Sequence, residues 1–327
     1  MSVKNEVLHI LESNRGRNIS GQELADTLMV SRTAIWKAIN SLKDEGYMIA
    51  AANKGYSLST SSDVLSSEGI RLYLNEEFSN IPIVVYKTIA STNSEAKLLA
   101  VQNAVHGTTV ISEEQTKGRG RFGRDFFSPS DSGIYMSIIL KPKLNIENSV
   151  LVTTAAAVAV CHAIEKFTND LPMIKWVNDI FLDNKKVCGI LTEAVSNFEI
   201  GMVESVILGI GLNVKTDENQ FPEELRKIAG SLFPEGITRN QIAAEIINEI
   251  MNLSENLEDQ SLIEEYKEYS LVLGKIISYN KNGNLYSAKA IDINNQGNLV
   301  VENEQGEVSI IQSGEVTIGS RQILGNL

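Results

Sequence analysis

The sequence predicts a multidomain protein of the α+β class. Three observations carry that expectation. Residues 1–62 hold helical periodicities closed by a short β-prone pair. Residues 68–270 mix single helices with runs of strands separated by tight turns. Residues 271–327 change again, to short strands punctuated by Asn-Gly, Gln-Gly-Asn and Gln-Gly-Glu. A chain of 327 residues is long enough for two or three domains.

The N-terminal segment is read helix by helix. In VKNEVLHILES, Val3, Val7, Ile10 and Leu11 recur at helical spacing. In ISGQELADTLM, Ser20 is the expected cap and Glu23, three residues on, completes a capping box. VSRTAIWKAINSLKDEGY then starts at Ser31. Its Ile35, Ala38, Ile39 and Leu42 share one face, and Arg32, Thr33, Trp36, Lys37 and Asn40 the other. MIAAANKGYSLS supplies two β-prone runs around Asn-Lys-Gly. Two short helices in tandem followed by a hairpin read as a winged helix-turn-helix. Its third helix would enter a major groove with Ser31, Arg32, Thr33, Trp36 and Lys37 near DNA. The plainer reading is a small helical interaction domain with a solvated outer face. Residues 1–62 hold seven Lys/Arg and six Asp/Glu, so the remaining 22 and 35 leave the rest of the chain at −13. STSSDVLSS, 59–67, is expected to be a polar linker.

In the middle segment, IPIVVYKTI, TTVISEEQT, GIYMSIILK and ESVILGIGLNV read as strands. MIKWVNDIFLDNKKVCGILTEAV reads as strands joined by a polar turn at Asp183 to Lys185. STNSEAKLLAVQN, the Ala-rich SVLVTTAAAVAVCHAIEKF and TRNQIAAEIINEIMNLSENL read as helices. Consecutive strands with tight turns favour an antiparallel or mixed sheet over a regular βαβ alternation. The C-terminal strands are spaced as in a small β-barrel of about 50 residues.

Composition narrows the classes. The hydrophobic share of 43% and charged share of 21% suit a soluble globular protein. A net charge of −12 argues against a protein coated in nucleic acid but permits one local DNA-binding face. Cys161 and Cys188 are too few for a disulfide scaffold and fit a reducing cytosol. Three histidines without clustered cysteines make a zinc site improbable. Lys4 and Glu6 interrupt the place where a secretion signal needs its apolar run. The Ala-rich stretch, with His162 and Glu165, reads as a buried helix rather than a membrane span.

Against that acidic background stands KGRGRFGR, 117–124, with four cations and three glycines. Gly118, Gly120 and Gly123 match G-x-G-x-x-G, but no helix opens after them: Pro129 and a Ser-Asp-Gly turn follow. A dinucleotide fingerprint is therefore rejected, and no Gly-Lys-Ser/Thr phosphate loop is present. What remains is an anion-wrapping loop. Glycines expose backbone N–H groups, and Arg119, Arg121 and Arg124 can grip carboxylate or phosphate in bidentate fashion. Like charges would keep such a loop disordered until an anion binds. The bland alternative is a solvated surface loop. KWVND (175–179), KKVCGILTE (185–193), GIGLNV (209–214) and STN (91–93) add polar groups in apolar surroundings. Each alone reads equally as a turn or cap. Together with the loop they could hold a small anion and a nucleotide.

The order STN, EQTKGRGRFGR, KWVND, KKVCGILTE, GIGLNV resembles that of the biotin–protein ligases. With the helix-turn-helix in front, the whole chain is similar to the bifunctional members that double as biotin operon repressors. The resemblance implies a central fold like class II aminoacyl-tRNA synthetases and an SH3-like C-terminal barrel. It implies a two-step reaction: ATP and Mg²⁺ convert biotin to biotinyl-5′-AMP, and a lysine of the biotin carboxyl carrier protein then takes the biotinyl group. By the same resemblance, Ser91, Thr92, Asn93, Gln115, Gly118, Arg119, Gly120, Arg121, Lys186 and Gly189 would bind biotin. Arg121, Arg124, Phe126, Lys175, Asn178, Asp179, Lys186 and Asn213 would face ATP or the adenylate. Lys186 and Arg121 would be catalytic, and Asp179 would touch Mg²⁺. It further implies a cytoplasmic protein without a membrane partner. Biotinyl-5′-AMP would be its corepressor, producing a homodimer that binds operator DNA.

Two departures stand out. Val177 replaces the proline of KWPND, and Phe126 stands where relatives often carry an adenine-stacking Trp. Three other readings stay open: a lipoate or octanoate ligase, a regulator that only senses biotin, and a ligase whose N-terminal domain no longer binds DNA.

Overall fold

A computed structural model describes residues 2–52, 54–141, 149–197, 202–257, 259–281 and 283–318. Asn53 and Asn282, in two of the expected turns, and the last nine residues of the 271–327 segment lie outside them. The chain forms two compact units, Met1–Ser79 with Pro234–Glu245 and Asn80–Phe233 with Ile246–Leu327.

The first unit contains α1 (Val3–Glu12), α2 (Gly21–Thr27), α3 (Arg32–Asp44) and the antiparallel strands β1 (Ile49–Ala52) and β2 (Gly55–Leu58). The expected caps are in place: Ser20 Oγ accepts from Glu23 N at 3.0 Å and Ser31 Oγ from Ala34 N at 3.2 Å. Each satisfies a helix N–H that would otherwise lack a partner. The periodic apolar residues Val7, Leu11, Leu24, Ile35, Ile39, Leu42 and Leu58 meet in one core. Burying each contributes roughly 1.5–3 kcal/mol.

The 59–67 stretch is not the solvated linker its serines suggested. Ser62, Leu65 and Ser66 are buried. The Arg15 guanidinium donates to Ser62 O at 2.6 Å. Arg239 N donates to Asp63 Oδ1 at 2.7 Å, and the Asn240 side chain donates to Val64 O and accepts from Ser66 N. Partners 176 residues away satisfy this backbone, which sequence composition cannot foresee. Ser66 then caps the short α4 (Ser67–Arg71).

The second unit is built on a seven-stranded mixed sheet. In chain order its elements are β3 (Ile83–Ile89), α5 (Thr92–Val101), β4 (Thr109–Gln115), β5 (Gly133–Leu140), α6 (Ser149–Phe167), β6 (Met173–Lys175), β7 (Asp179–Leu182), β8 (Lys185–Asn197), β9 (Met202–Asn213), the part of α7 (Arg239–Ser254) from Ile246 on, and α8 (Gln260–Glu268). The start of α7, with Arg239 and Asn240, belongs to the first unit. The strand order is β3-β4-β5-β9-β8-β7-β6. Only β3 and β4 pair in parallel, with α5 as their crossover. The β7–β8 hairpin turns through Asp183 and Asn184, both at positive φ, as a two-residue turn matched to strand twist requires. A second break, at 176–178, separates β6 from β7 where the sequence suggested a longer strand; the Trp176–Val177 peptide is cis. α6 is the one helix among the described residues long and apolar enough to cross a membrane, and it is mostly buried inside this unit. α8 went unread because only nine residues carry its Leu262, Ile263 and Tyr266 stripe.

A second sheet closes the chain: β10 (Ile276–Lys281), β11 (Asn284–Ile293), β12 (Leu299–Glu302), β13 (Val308–Ile311) and β14 (Val316–Ile318). Its order is β13-β12-β11-β10-β14, antiparallel throughout.

Candidate active site

Five elements of the second unit deliver the motif residues to one region. β8 and β9 run antiparallel with Gly189 opposite Gly211 and Leu191 opposite Gly209. Alternation places these four on one face of the sheet. No side chain rises from the glycines. A Cβ on Gly209 would stand 2.1 Å from Asn93 Oδ1, and one on Gly211 would stand 2.4 Å from the Phe126 ring. The bare strip is therefore filled by neighbours from α5 and the basic loop.

A narrow pocket opens above this strip. Ser91, Thr92, Asn93, Gln115, Arg119, Phe126, Met136, Gly189, Leu191, Gly209, Ile210 and Gly211 line it. Its polar end is a buried network. Gln115 Oε1 accepts from Thr92 N at 2.9 Å and from Thr92 Oγ1 at 3.1 Å. Ser137 Oγ bridges Thr92 Oγ1 at 2.8 Å and Asn93 Oδ1 at 2.6 Å. Asn93 Nδ2 donates to Glu193 Oε2 at 2.8 Å.

Beside it lies a cleft of about 110 Å³. Lys175, Trp176, Asn178, Asp179, Lys186, Arg121, Arg124 and Glu315 are among its lining residues. Arg119, Phe126, Gly189 and Leu191 line both spaces. Lys186 Nζ sits 2.6 Å from Asp179 Oδ1, and Arg121 donates to Asn178 Oδ1 at 2.8 Å. The KWVND segment is anchored from outside the cleft. Trp176 Nε1 donates to Gly297 O, and the buried Tyr266 hydroxyl to Val177 O, both at 2.9 Å. Burial lowers the Arg121 guanidinium from its ordinary value, opposed by the nearby Asp179 and Glu315 charges.

The basic loop is a tight hairpin rather than a chain held open by repulsion. Gly120 N donates to Arg124 O at 2.7 Å and Phe126 N to Gly118 O at 2.9 Å. Each arginine has an internal partner, and the two carboxylates among them offset the repulsion. Arg119 lies 3.6 Å from Glu193, Arg121 bonds Asn178, and Arg124 makes a bidentate pair with Glu315 at 2.6 and 2.8 Å.

Two sequence-predicted residues stand apart from both spaces. Gly118 serves the loop: a Cβ there would meet Phe126 O at 2.3 Å. Asn213 is buried at the end of β9, donating to Gly230 O, and its Oδ1 has no hydrogen-bond partner. Phe126 does not project freely into the cleft. Its ring lies over Gly189 and Gly211, edge-on to Tyr135. Sequence reading missed Glu193, Ser137, Gly209, Gly211 and Glu315. The period-2 spacing of Gly189, Leu191 and Glu193, and of Gly209 and Gly211, was an available signal for three of the five: it places Gly209, Gly211 and Glu193 on the site face. Ser137 on β5 and Glu315 before β14 carry no such local signal.

In the first unit, α3 and the β1–β2 pair enclose an open groove of about 740 Å³. Arg32, Thr33, Trp36, Gln22, Ala52 and Tyr56 line it. Trp36 is 57% exposed, so it is not a core residue. Lys37 is exposed outside the groove lining, and Ser31 spends its hydroxyl on the helix cap.

Residues 85–213 match the biotin/lipoate A/B protein ligase family, and residues 3–57 match a helix-turn-helix domain. The bifunctional ligase/repressor BirA of Bacillus subtilis is 34% identical over 328 residues, covering 97% of this chain and 99% of its own. The protein of that name from Escherichia coli is 28% identical over 254 residues, covering 74% of each chain. Among solved structures, the biotin protein ligase of Aquifex aeolicus in complex with biotin and ATP aligns with a TM-score of 0.61 at 27% identity. It covers 73% of this chain and 98% of its own. With a relative so similar along nearly its whole length, the chain belongs to the family of bifunctional ligase/repressors built on the biotin/lipoate protein ligase domain.

Proposed function

We propose that the chain joins biotin to a lysine of a biotin carboxyl carrier protein through biotinyl-5′-AMP, and that it represses biotin genes when that adenylate is bound. One observation carries the ligase reading: a narrow polar-ended pocket and a cation-lined cleft meet at Gly189 and Phe126, with Lys186 beside the junction.

The pocket suits the acid. Its apolar lining, Met136, Leu191 and Ile210, would take an alkyl chain, and Ser91, Thr92, Asn93 and Gln115 would meet the polar head of biotin. A lipoate or octanoate tail offers no comparable polar group to hydrogen-bond with them. The cleft suits the nucleotide, with Arg121, Arg124, Lys175, Lys186 and Asn178 facing its phosphates. Asn213, with its unpartnered Oδ1, lies outside this cleft and is not among the residues that would face the phosphates.

The chemistry follows from charge. A biotin carboxylate oxygen attacks the α-phosphorus of ATP, the bond to the β-phosphate oxygen breaks, and pyrophosphate leaves. Lys186 bridges carboxylate and α-phosphate and offsets the charge gathered between them. Alignment of the two substrates supplies about 7–11 kcal/mol. The carrier lysine amine then attacks the acyl carbon, loses a proton and expels AMP. Among the described residues, no three His, Cys, Asp or Glu side chains form a metal cage. Asp179, which lines the cleft, is the residue that would hold a Mg²⁺ arriving on the phosphates. Bound there, it would neutralise phosphate charge.

On this reading 1–62 is the winged DNA-binding module, 68–270 the catalytic domain related in fold to class II synthetases, and 271–327 an SH3-like barrel. Arg32, Thr33, Trp36 and Lys37 would face the major groove of operator DNA. Adenylate would favour a homodimer whose two modules read two half-sites. A cytoplasmic location accords with these partners.

ATP–pyrophosphate exchange with biotin, lipoate, octanoate and no acid tests the ligase reading. Exchange with biotin alone supports it; exchange with lipoate changes the substrate; no exchange from folded protein leaves a ligand-sensing regulator. Equal operator affinity with and without biotinyl-5′-AMP would refute the coupling to DNA.

A further inference from the structure

Glu193 is central to the site although it lines neither cavity. It stands on β8, opposite Ile207 of β9, with its side chain 17% exposed. Three elements converge on its carboxylate. From α5, Asn93 Nδ2 donates at 2.8 Å and Lys97 Nζ at 2.6 Å. From the basic loop, an Arg119 nitrogen lies 3.6 Å away. Asn93 and Lys97 are four residues apart, so one helix face presents both.

The contact to Asn93 settles which way that amide points. Oδ1 accepts from the buried Ser137, while Nδ2 must find an acceptor. Glu193 Oε2 is the nearer acceptor at 2.8 Å, with Leu191 O at 3.5 Å. Asn93 Oδ1 also occupies the space above Gly209, where no Cβ could fit. A reversed amide would set Nδ2 against Ser137 and leave its carbonyl facing a carboxylate. The ion pair at 3.6 Å reaches Arg119, which lines the same pocket. Burial alone would raise the Glu193 carboxyl, yet hydrogen bonds from Lys97 and Asn93 hold it below its ordinary range. It is thus a carboxylate at neutral pH, the form that accepts from Asn93 and Lys97 and pairs by charge with Arg119.

We infer that Glu193 is a positioning residue for acid recognition: one carboxylate sets the amide of Asn93 and the pose of Arg119 together. This rests on the acid-pocket reading above. The loss of its charge should weaken the acid more than the nucleotide, because Lys175, Asn178 and Asp179 of the cleft do not touch it.

The test compares wild type, Glu193→Gln and Glu193→Asp in ATP–pyrophosphate exchange, with thermal melting of each. Glu193→Gln offers one acceptor and places an N–H₂ among donors. The expected result is a biotin KM raised about 10- to 100-fold, with ATP KM and kcat each moving less than about threefold, within the range of a remote change. Glu193→Asp keeps the charge and should recover part of the biotin KM. Exchange by wild type secures the underlying reading independently of the variants. The inference is overturned if wild type exchanges and Glu193→Gln leaves biotin KM unchanged. It is equally overturned if biotin and ATP KM rise together, or if Gln and Asp are impaired alike. A lowered melting temperature in Glu193→Gln that Asp does not share leaves the KM comparison decisive, since KM is read on the folded fraction.

Discussion

The chain has two cationic surfaces, and they treat their charges in opposite ways. In the basic loop, Arg119, Arg121 and Arg124 each have a partner within the protein, in Glu193, Asn178 and Glu315. On α3, Arg32 and Lys37 have no ion-pair or hydrogen-bond partner among the described residues, and Trp36 stands out into solvent. The difference matches two kinds of anion. A small substrate enters a confined site, where unpaired cations would be costly to desolvate and would repel one another. Internal partners, carboxylates for Arg119 and Arg124 and an amide for Arg121, hold them in place until the substrate arrives. A duplex is a long polyanion met at the surface. There, cations work best solvated, because affinity comes from released counterions.

Breaking the confined side should have the largest effect. Lys186→Ala removes the cation beside the junction of pocket and cleft and should slow single-turnover adenylate formation about 100- to 1000-fold. The melting temperature should stay near wild type, since Lys186 is partly exposed and its ion pair to Asp179 contributes little to the fold. An unchanged single-turnover rate would remove Lys186 from its proposed role.

A partnered cation away from both surfaces sharpens the contrast by titration. His162 on α6 lies between Glu249 on α7 and Glu265 on α8, with its ring edge-on to Tyr269. The hydrogen bond to Glu249, with that to Glu265 and against partial burial, raises the imidazole to about 9. Because the folded value lies above the unfolded one, the stabilisation is complete below pH 6.5 and is lost as pH rises through about 9. Partial exposure reduces its size to about 1–2 kcal/mol. Urea unfolding at intervals between pH 6 and 9.5 should show this loss in wild type and a flatter profile in His162→Gln. Parallel profiles would mean that the two carboxylates do not act through His162.

The smallest effect is expected on the solvated side. Lys37→Ala should reduce the slope of log affinity against log salt for duplex DNA by about 1, without altering pyrophosphate exchange. An unchanged slope would place Lys37 away from the phosphates.

Much of this was legible along the chain. Ser20 and Ser31 announced two helix starts, and the buried stripe of α3 followed from its spacing. Those are local facts: a hydroxyl three residues from an amide, or apolar residues one turn apart. The order of motifs likewise pointed to acid and nucleotide chemistry. Three features resisted. The serine-rich 59–67 segment proved buried because Arg239 and Asn240 hold it from far along the chain. Phe126 settled over two glycines contributed by different strands. Glu193 gathered a helix and a loop whose donors lie 96, 100 and 74 positions away in sequence. The sequence by itself determined most of the helices and strands, the family and the residues available for chemistry, because these depend on short-range sterics and on residue identity. The tertiary structure alone decided which charges are partnered and which remain in water, because pairing and desolvation depend on distances that only the folded sheet sets.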